Sequence, residues 1–291
     1  MARIFKHPEV EDYFHELDLR EEPAALARRA TALYEQGQVF VLKDYRMDFD
    51  AALLSGLTFD ENATKKFKSI AFLKNYRRLG AREEPAEAYR DLLHGPFGGD
   101  RSRMNAFAEE VRRVNAQAEA LMARLFPGYR VERPSLTWRL NETVNENLHV
   151  DVYNEDQPSH HLRLFTNLDT APRIWHTSHT LEHLLRHSLH LLDAEFVRSA
   201  TPGRICHALN FAVFKGFAEA GREGQPKHIA FFEPGEVWFV DSRKVSHQIF
   251  FGRKALSTEH AIVRESMADP ASHYYDLVER YRDRVAGTVA S

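Results

Sequence analysis

The chain has 291 residues, 43% of them hydrophobic and 28% charged, with a formal net charge of -3. That balance is ordinary for a soluble globular protein, and it carries no global basic field for nucleic acid. No apolar run is long enough to span a bilayer, and "MARIFKHPEVEDYFHELDLREE" carries acids throughout where a secretory signal needs an apolar core. The single cysteine, Cys206, excludes an intrachain disulfide and fits a reducing, cytoplasmic location.

The N-terminal third reads as mainly helical. "EEPAALARRATALYEQGQ" has proline near its start and Gly37 at its end, the signals of a capped helix. "VFVLKD" follows as a short strand, and "EEPAEAYRDLLHG" as a helix stopping at Gly95-Pro96. Then Phe107, Val111, Val114, Ala118, Leu121 and Leu125 recur at three- and four-residue steps. They form one apolar stripe on a helix that ends near Pro127-Gly128 and packs on a sheet.

From Tyr129 the texture changes. "YRVERPSLTWRL", "NLHVDVY", "LRLFTNL", "RIWHT", "HIAFFE", "GEVWFVDS", "KVSHQIFF" and "ALSTEHAIV" are short β-branched and aromatic runs between turn residues. They predict an antiparallel sandwich or barrel. "SHTLEHLLRHSLHLLDAEFVRS" interrupts them as a helical segment. "DPASHYYDLVERYRDRV" reads as a terminal helix with Asp269 as N-cap and Pro270 at its first position.

Side chains alternate along a strand, so His149 and Asp151 point to one face. Such a pair with one distant histidine makes the facial triad of non-haem Fe(II) oxygenases, which leaves positions open for cosubstrate and O2. In "PGEVWFVDSRKVSHQIFFG", His247 follows an apolar run well downstream and supplies the third ligand. This order of ligands within a many-stranded half is the organisation of 2-oxoglutarate-dependent oxygenases. The expected fold is therefore α+β, with a double-stranded β-helix (jelly roll) core over residues 129–265 and a helical insertion near 178–199. A mainly helical region, 1–128, packs on one sheet, and 266–291 form a C-terminal helix.

The far carboxylate of 2-oxoglutarate needs a cation, and a guanidinium grips a carboxylate with two parallel bonds. In "HLRLFTNLD" the leucines share one face, while Arg163, Phe165 and Asn167 share the other. With the leucines packed outward on helices, Arg163 and Asn167 face the barrel interior. Arg163 is the first choice, Arg253 the alternative beyond Gly252, and Arg139 of "SLTWRL" the third.

"TWRLNETVNENLHVDVYNEDQPSHHLRLFTNLDTAPRIWHT" and "PGEVWFVDSRKVSHQIFFGRKAL" together resemble the Kdo hydroxylase family, where Kdo is 3-deoxy-D-manno-oct-2-ulosonic acid. The likeness runs through Trp-Arg, Leu-His-Val-Asp, Leu-Arg-x-Phe-x-Asn, Pro-Arg-x-Trp and Val-Ser-His, mainly over residues 135–260. It implies Fe(II), 2-oxoglutarate and O2, and hydroxylation of C3 of the Kdo sugar of Kdo-lipid A. His149, Asp151 and His247 then hold the iron, and Arg163 binds the cosubstrate.

Rival readings remain at this level. His179-x-x-Glu182-His183 fits an inverted zinc-peptidase motif, although His187 continues the same stripe as a solvated face would. A non-catalytic sugar-binding jelly roll, or an oxygenase with another small-molecule or protein substrate, would also use these residues. In "TKKFKSIAFLKNYRRLGAR", seven basic residues fall between Lys65 and Arg82 with no acid among them. That segment is a solvated face, or it is a patch for an anionic membrane surface near a lipid A-linked substrate.

Overall fold

The computed structural model describes residues 2–57, 93–140, 143–144, 147–152, 159–216 and 224–288. The expected helix over 83–95 lies almost wholly outside these residues, as does the basic run 65–82. Capping chemistry sets the helix boundaries. In α1 (Pro23–Glu35) the Glu22 carboxylate accepts from the amides of Ala24 and Ala25, and Gly37 follows the helix at φ +72°. After the short α2 (Ala51–Ser55), α3 (Arg101–Leu125) starts at Asp100, whose carboxylate accepts from Ser102 and Arg103. Every residue of the expected stripe on α3 is buried.

Two largely antiparallel sheets build the core. Three early strands are β1 (Arg3–Phe5), β2 (Phe14–Asp18) and β3 (Val39–Lys43). Next come β4 (Val131–Arg133), β5 (Leu136–Arg139), β6 (Thr143–Val144), β7 (His160–Leu162), β8 (Leu164–Asn167) and β9 (Arg173–Thr180). The last are β10 (His228–Phe232), β11 (Val237–Phe239), β12 (Val245–Gly252), β13 (Ala255–Thr258) and β14 (His260–Ile262). One sheet runs β1-β10-β9-β12-β6, the other β2-β3-β11-β8-β13-β5, and a small third sheet runs β4-β14-β7. Among the described pairings, β2 with β3 is parallel.

Strand alternation explains the layers. Val39 and Val41 of β3 turn into the space between the sheets, with Phe165, Trp175, Phe232, Trp238 and Ile249. Phe40 and Leu42 turn outward and pack with Leu164, Phe239 and Trp138 against α1 and α3. The result is an α+β jelly roll with a helical layer over one sheet. The sheets draw on residues before 129 more than the sequence suggests, because β1, β2 and β3 are all woven into them. β1 and β2 are short and interrupted by polar residues ("RIF", "FHELD"), so their period-two signal is weak.

A second helical layer sits near the other sheet. It comprises α4 (Leu181–Ser188), α5 (Ala194–Ser199), α6 (Pro202–Phe214) and α7 (Tyr274–Thr288). Strand β9 runs to Thr180, whose hydroxyl caps α4, so the expected insertion begins as strand. Asp269 caps a short 3-10 turn at Pro270–Ser272, and α7 itself begins later, at Tyr274. Helix α6, absent from the sequence reading, has Thr201 as its cap and Pro202 within the first turn, but its sequence is apolar on most sides, which blurs the helical period.

Candidate metal centre

The segment "NLHVDV" is extended but belongs to no regular ladder. His149 and His247 form an isolated antiparallel bridge, with amide-to-carbonyl distances of 3.1 and 2.8 Å, and the Asp151 amide donates to the Ser242 carbonyl at 2.8 Å. Alternation survives without the ladder. Leu148 and Val150 are buried in the α4–α7 cluster, while His149 and Asp151 turn the opposite way toward β12.

A side chain completes the missing backbone pairing. The Asn210 amide on α6 accepts from the Val150 N–H at 3.0 Å and donates to the Val150 carbonyl at 2.9 Å. Asn147 donates from its side chain to the Phe214 carbonyl at 3.0 Å. Thus the residue between the two ligands is clamped on both backbone groups by one buried side chain. Asn210→Ala leaves both groups buried without that partner, a cost of about 1–3 kcal/mol each. We expect Fe(II) affinity to fall about 10–100-fold, as for other supports of metal ligands. Anaerobic iron titration measures it, and Asn210→Asp should rescue little, because a carboxylate cannot donate to the carbonyl.

The three ligand side chains converge, with their donor atoms all within 4.8 Å of one another. His149 Nε2 lies 3.4 Å, and His247 Nε2 3.8 Å, from the Asp151 carboxylate. Each imidazole places Nδ1 on a backbone carbonyl, His149 on Asn147 at 2.9 Å and His247 on Val245 at 3.1 Å. Those bonds assign the proton to Nδ1 and leave a lone pair on Nε2, aimed at the carboxylate. Burial drives His247 down to about 4 despite the nearby Asp151 charge, so it is neutral at physiological pH. Burial alone would raise Asp151, but the Arg163 charge beside it holds it well below the carboxylate range. Two imidazoles, each with Nδ1 backed by a carbonyl, and one ionised carboxylate are the donor set that a non-haem Fe(II) centre requires. The Trp175 ring stacks on His247 at 5.3 Å and 21° and covers one side.

The expected cosubstrate residues separate in space. Arg163 breaks "LRLFTNL" into β7 and β8, because its amide donates to the Tyr34 hydroxyl at 2.8 Å instead of to a ladder. Its guanidinium bonds the Asp151 carboxylate, donates to Ser242 Oγ at 2.8 Å and reaches the Thr258 carbonyl at 3.3 Å. Asn167 also lies on the inward face, but both its amide hydrogens are spent, on the Ala171 and Phe232 carbonyls at 2.9 Å. It holds a turn and has no donor left for a cosubstrate. Arg253 lies in the turn between β12 and β13 and forms two 2.7 Å bonds with Asp169. Arg139 stands opposite Ala255, in line with Asn167, on the inward face of β5.

Two residues besides Asn210 escaped the sequence reading. Ser242 braces both Asp151 and Arg163, and nothing in "FVDSRK" marks it. Arg173 is almost fully buried on the same face of β9 as Trp175, packed where Gly252 offers no side chain. A Cβ at Gly252 would lie 2.3 Å from its Nη1. The inverted peptidase motif does not assemble. His179 belongs to β9, not to α4, and Glu182 accepts from Tyr281 at 2.8 Å and from Arg186 at 3.2 Å.

A family profile described as 3-deoxy-D-manno-oct-2-ulosonic acid (Kdo) hydroxylase matches residues 19–211, which include His149, Asp151 and Arg163. No curated protein sequence matches significantly. Among solved structures, the Kdo hydroxylase KdoO, a non-heme Fe(II) alphaketoglutarate dependent dioxygenase, is similar in its complex with alphaketoglutarate and Fe(III). The TM-score is 0.62 at 17% identity, over 93% of this chain and 96% of that one. Its succinate and Fe(III) complex gives 0.58 at 17% identity, over 94% and 96%. The apo form gives 0.57 at 16% identity, over 93% and 96%. At such identities the likeness speaks to the jelly-roll fold, while the profile match covers well over half of the sequence. The chain belongs to the Kdo hydroxylase family.

Proposed function

We propose that this protein is an Fe(II)/2-oxoglutarate-dependent dioxygenase that hydroxylates C3 of the Kdo sugar of Kdo-lipid A, giving Ko, succinate and CO2. One observation carries the reading: His149, Asp151 and His247 present two Nε2 lone pairs and an ionised carboxylate to one point inside the jelly roll. When bound, iron and 2-oxoglutarate supply the O2 activation needed to oxidise an unactivated C–H bond. The chain's own residues do the rest. The carbonyls of Asn147 and Val245 hold the imidazole tautomers, and Asn210 holds the backbone between the first two ligands.

Arg163 is the cation at this site. Ser242 and the Thr258 carbonyl fix its guanidinium beside Asp151, where it compensates the carboxylate and is suited to the far carboxylate of 2-oxoglutarate. Arg173, buried on the inward face of β9, is the second arginine suited to anion binding there. Trp175, Phe165 and Trp238 line the interior and exclude water from the reacting groups.

Kdo is a sugar acid, and its lipid A carrier bears phosphates. The basic run 65–82 favours peripheral contact with an anionic membrane surface, with the protein at the cytoplasmic face. No helix among the described residues is long and apolar enough to cross a membrane. The test is succinate release with Fe(II) and 2-oxoglutarate, with and without Kdo-lipid A. Release should rise at least tenfold with the lipid. Tenfold stimulation by an unrelated amino acid or peptide, with none by Kdo-lipid A, would move the substrate elsewhere.

A further inference from the structure

A second group of donors lies at the far end of β9. Glu11, in the loop between β1 and β2, meets His179 from the end of that strand and His183 from the first turn of α4. His179 Nδ1 is 3.0 Å from one carboxylate oxygen, and His183 Nδ1 is 3.0 Å from the other. The donor atoms of all three lie within 4.8 Å of one another, and the two imidazoles stack 3.8 Å apart at 7°. None of the three belongs to the iron triad.

The backbones that carry them are independently braced. The Glu11 carbonyl accepts from His228 Nε2 at 2.9 Å. The Tyr13 hydroxyl donates to the Ser178 carbonyl at 2.6 Å, and Ser246 Oγ donates to the His179 carbonyl at 2.7 Å. Thr180 bonds Glu11 and also caps the His183 amide at 3.2 Å. The donors are therefore preorganised by contacts that need no metal. In the metal-free chain both Nδ1–H groups donate to the carboxylate. A change of tautomer to Nε2–H turns those nitrogens into ligands without moving the backbone.

We propose that Glu11, His179 and His183 bind a second divalent metal, zinc, which fastens the N-terminal loop to β9 and α4. Two imidazoles and a carboxylate, with no thiolate, form a borderline donor set that suits zinc, and a tetrahedral ion keeps its fourth position for water. Glu11 and His183 line an open cavity of about 530 Å³, so the ion exchanges with solvent. The role is structural: Glu182, the base a peptidase would need, is committed to Tyr281 and Arg186.

Zinc also occupies iron sites, so the test separates the two by stoichiometry. The full chain is stripped with a chelator, titrated with zinc against a chromogenic competitor, and checked by far-UV circular dichroism. The wild type should bind two zinc ions per chain, His247→Ala one, His183→Ala one, and the double variant none. Glu11→Gln, a change at an exposed position that preserves shape, should weaken the second site at least tenfold. In His247→Ala, saturating zinc should raise Tm, and adding His183→Ala should abolish that rise. A His247→Ala protein that binds no zinc, or a double variant that still binds one, overturns the proposal. So does unchanged affinity in Glu11→Gln.

Discussion

Asp151→Ala should lower iron- and 2-oxoglutarate-dependent succinate formation by at least 10³-fold while the chain stays folded. In the proposed triad Asp151 supplies the anionic ligand, and both histidine Nε2 atoms face it. Its loss leaves two neutral ligands for a divalent ion and leaves the Arg163 charge beside them. Removing one partner of a buried charge pair is costly, about 3–5 kcal/mol. Asp151→Asn is therefore the better-folded companion, because it keeps the shape and one acceptor for Arg163. His247→Ala should lose activity alike. Fe(II) should quench Trp175 fluorescence in the wild type, since that indole stacks on His247, and His247→Ala should remove that quenching. Substantial activity in either variant would take that residue out of the centre.

Arg163→Met has two expected effects. The 2-oxoglutarate requirement should rise about 10–100-fold, the worth of one or two charge-assisted bonds in a desolvated pocket. The acid limb of Fe(II) binding should also move to higher pH. In the folded protein burial alone would raise Asp151, but Arg163 depresses it well below its ordinary value of 3.8. The stability this contributes is present above that ordinary value and is lost as pH falls through the depressed one. With Arg163 gone, burial loses the main charge that opposes it. Asp151 then takes its proton at higher pH and competes with iron sooner. Titrations of iron and of cosubstrate across pH 4 to 8 separate the two effects. Arg173→Met alone raising the cosubstrate requirement would assign the far carboxylate to β9 instead.

Parts of this architecture were legible in the sequence because they follow local periodicity. The α3 stripe from Phe107 to Leu125 is buried residue for residue. The leucines of "HLRLFTNLD" pack outward, and Arg163 and Phe165 turn inward. The "LHVDV" alternation sends apolar side chains to the helices and ligands to the barrel even though no ladder forms. What escaped depends on partners distant in the chain. Nothing in "HALNFAVF" says that Asn210 will replace a strand neighbour for Val150, 60 residues away. The alternation in "HLRLFTNLD" puts Arg163 on one continuous strand, but the Tyr34 hydroxyl captures its amide and splits that strand in two. His179 and His183 have helical spacing, yet a strand ends between them, so their meeting point is Glu11 and not Glu182. Arg253, beyond Gly252, proved to be a turn residue, as its neighbour implied, and Asp169 holds it there.

The most direct test of the central claim is tandem mass spectrometry of Kdo-lipid A after incubation with the protein, Fe(II), 2-oxoglutarate and O2. The account predicts a gain of one oxygen atom confined to the Kdo fragment, dependent on 2-oxoglutarate and absent with Asp151→Ala. An unmodified lipid, under conditions where the same sample converts 2-oxoglutarate to succinate through His149, Asp151 and His247, would contradict it.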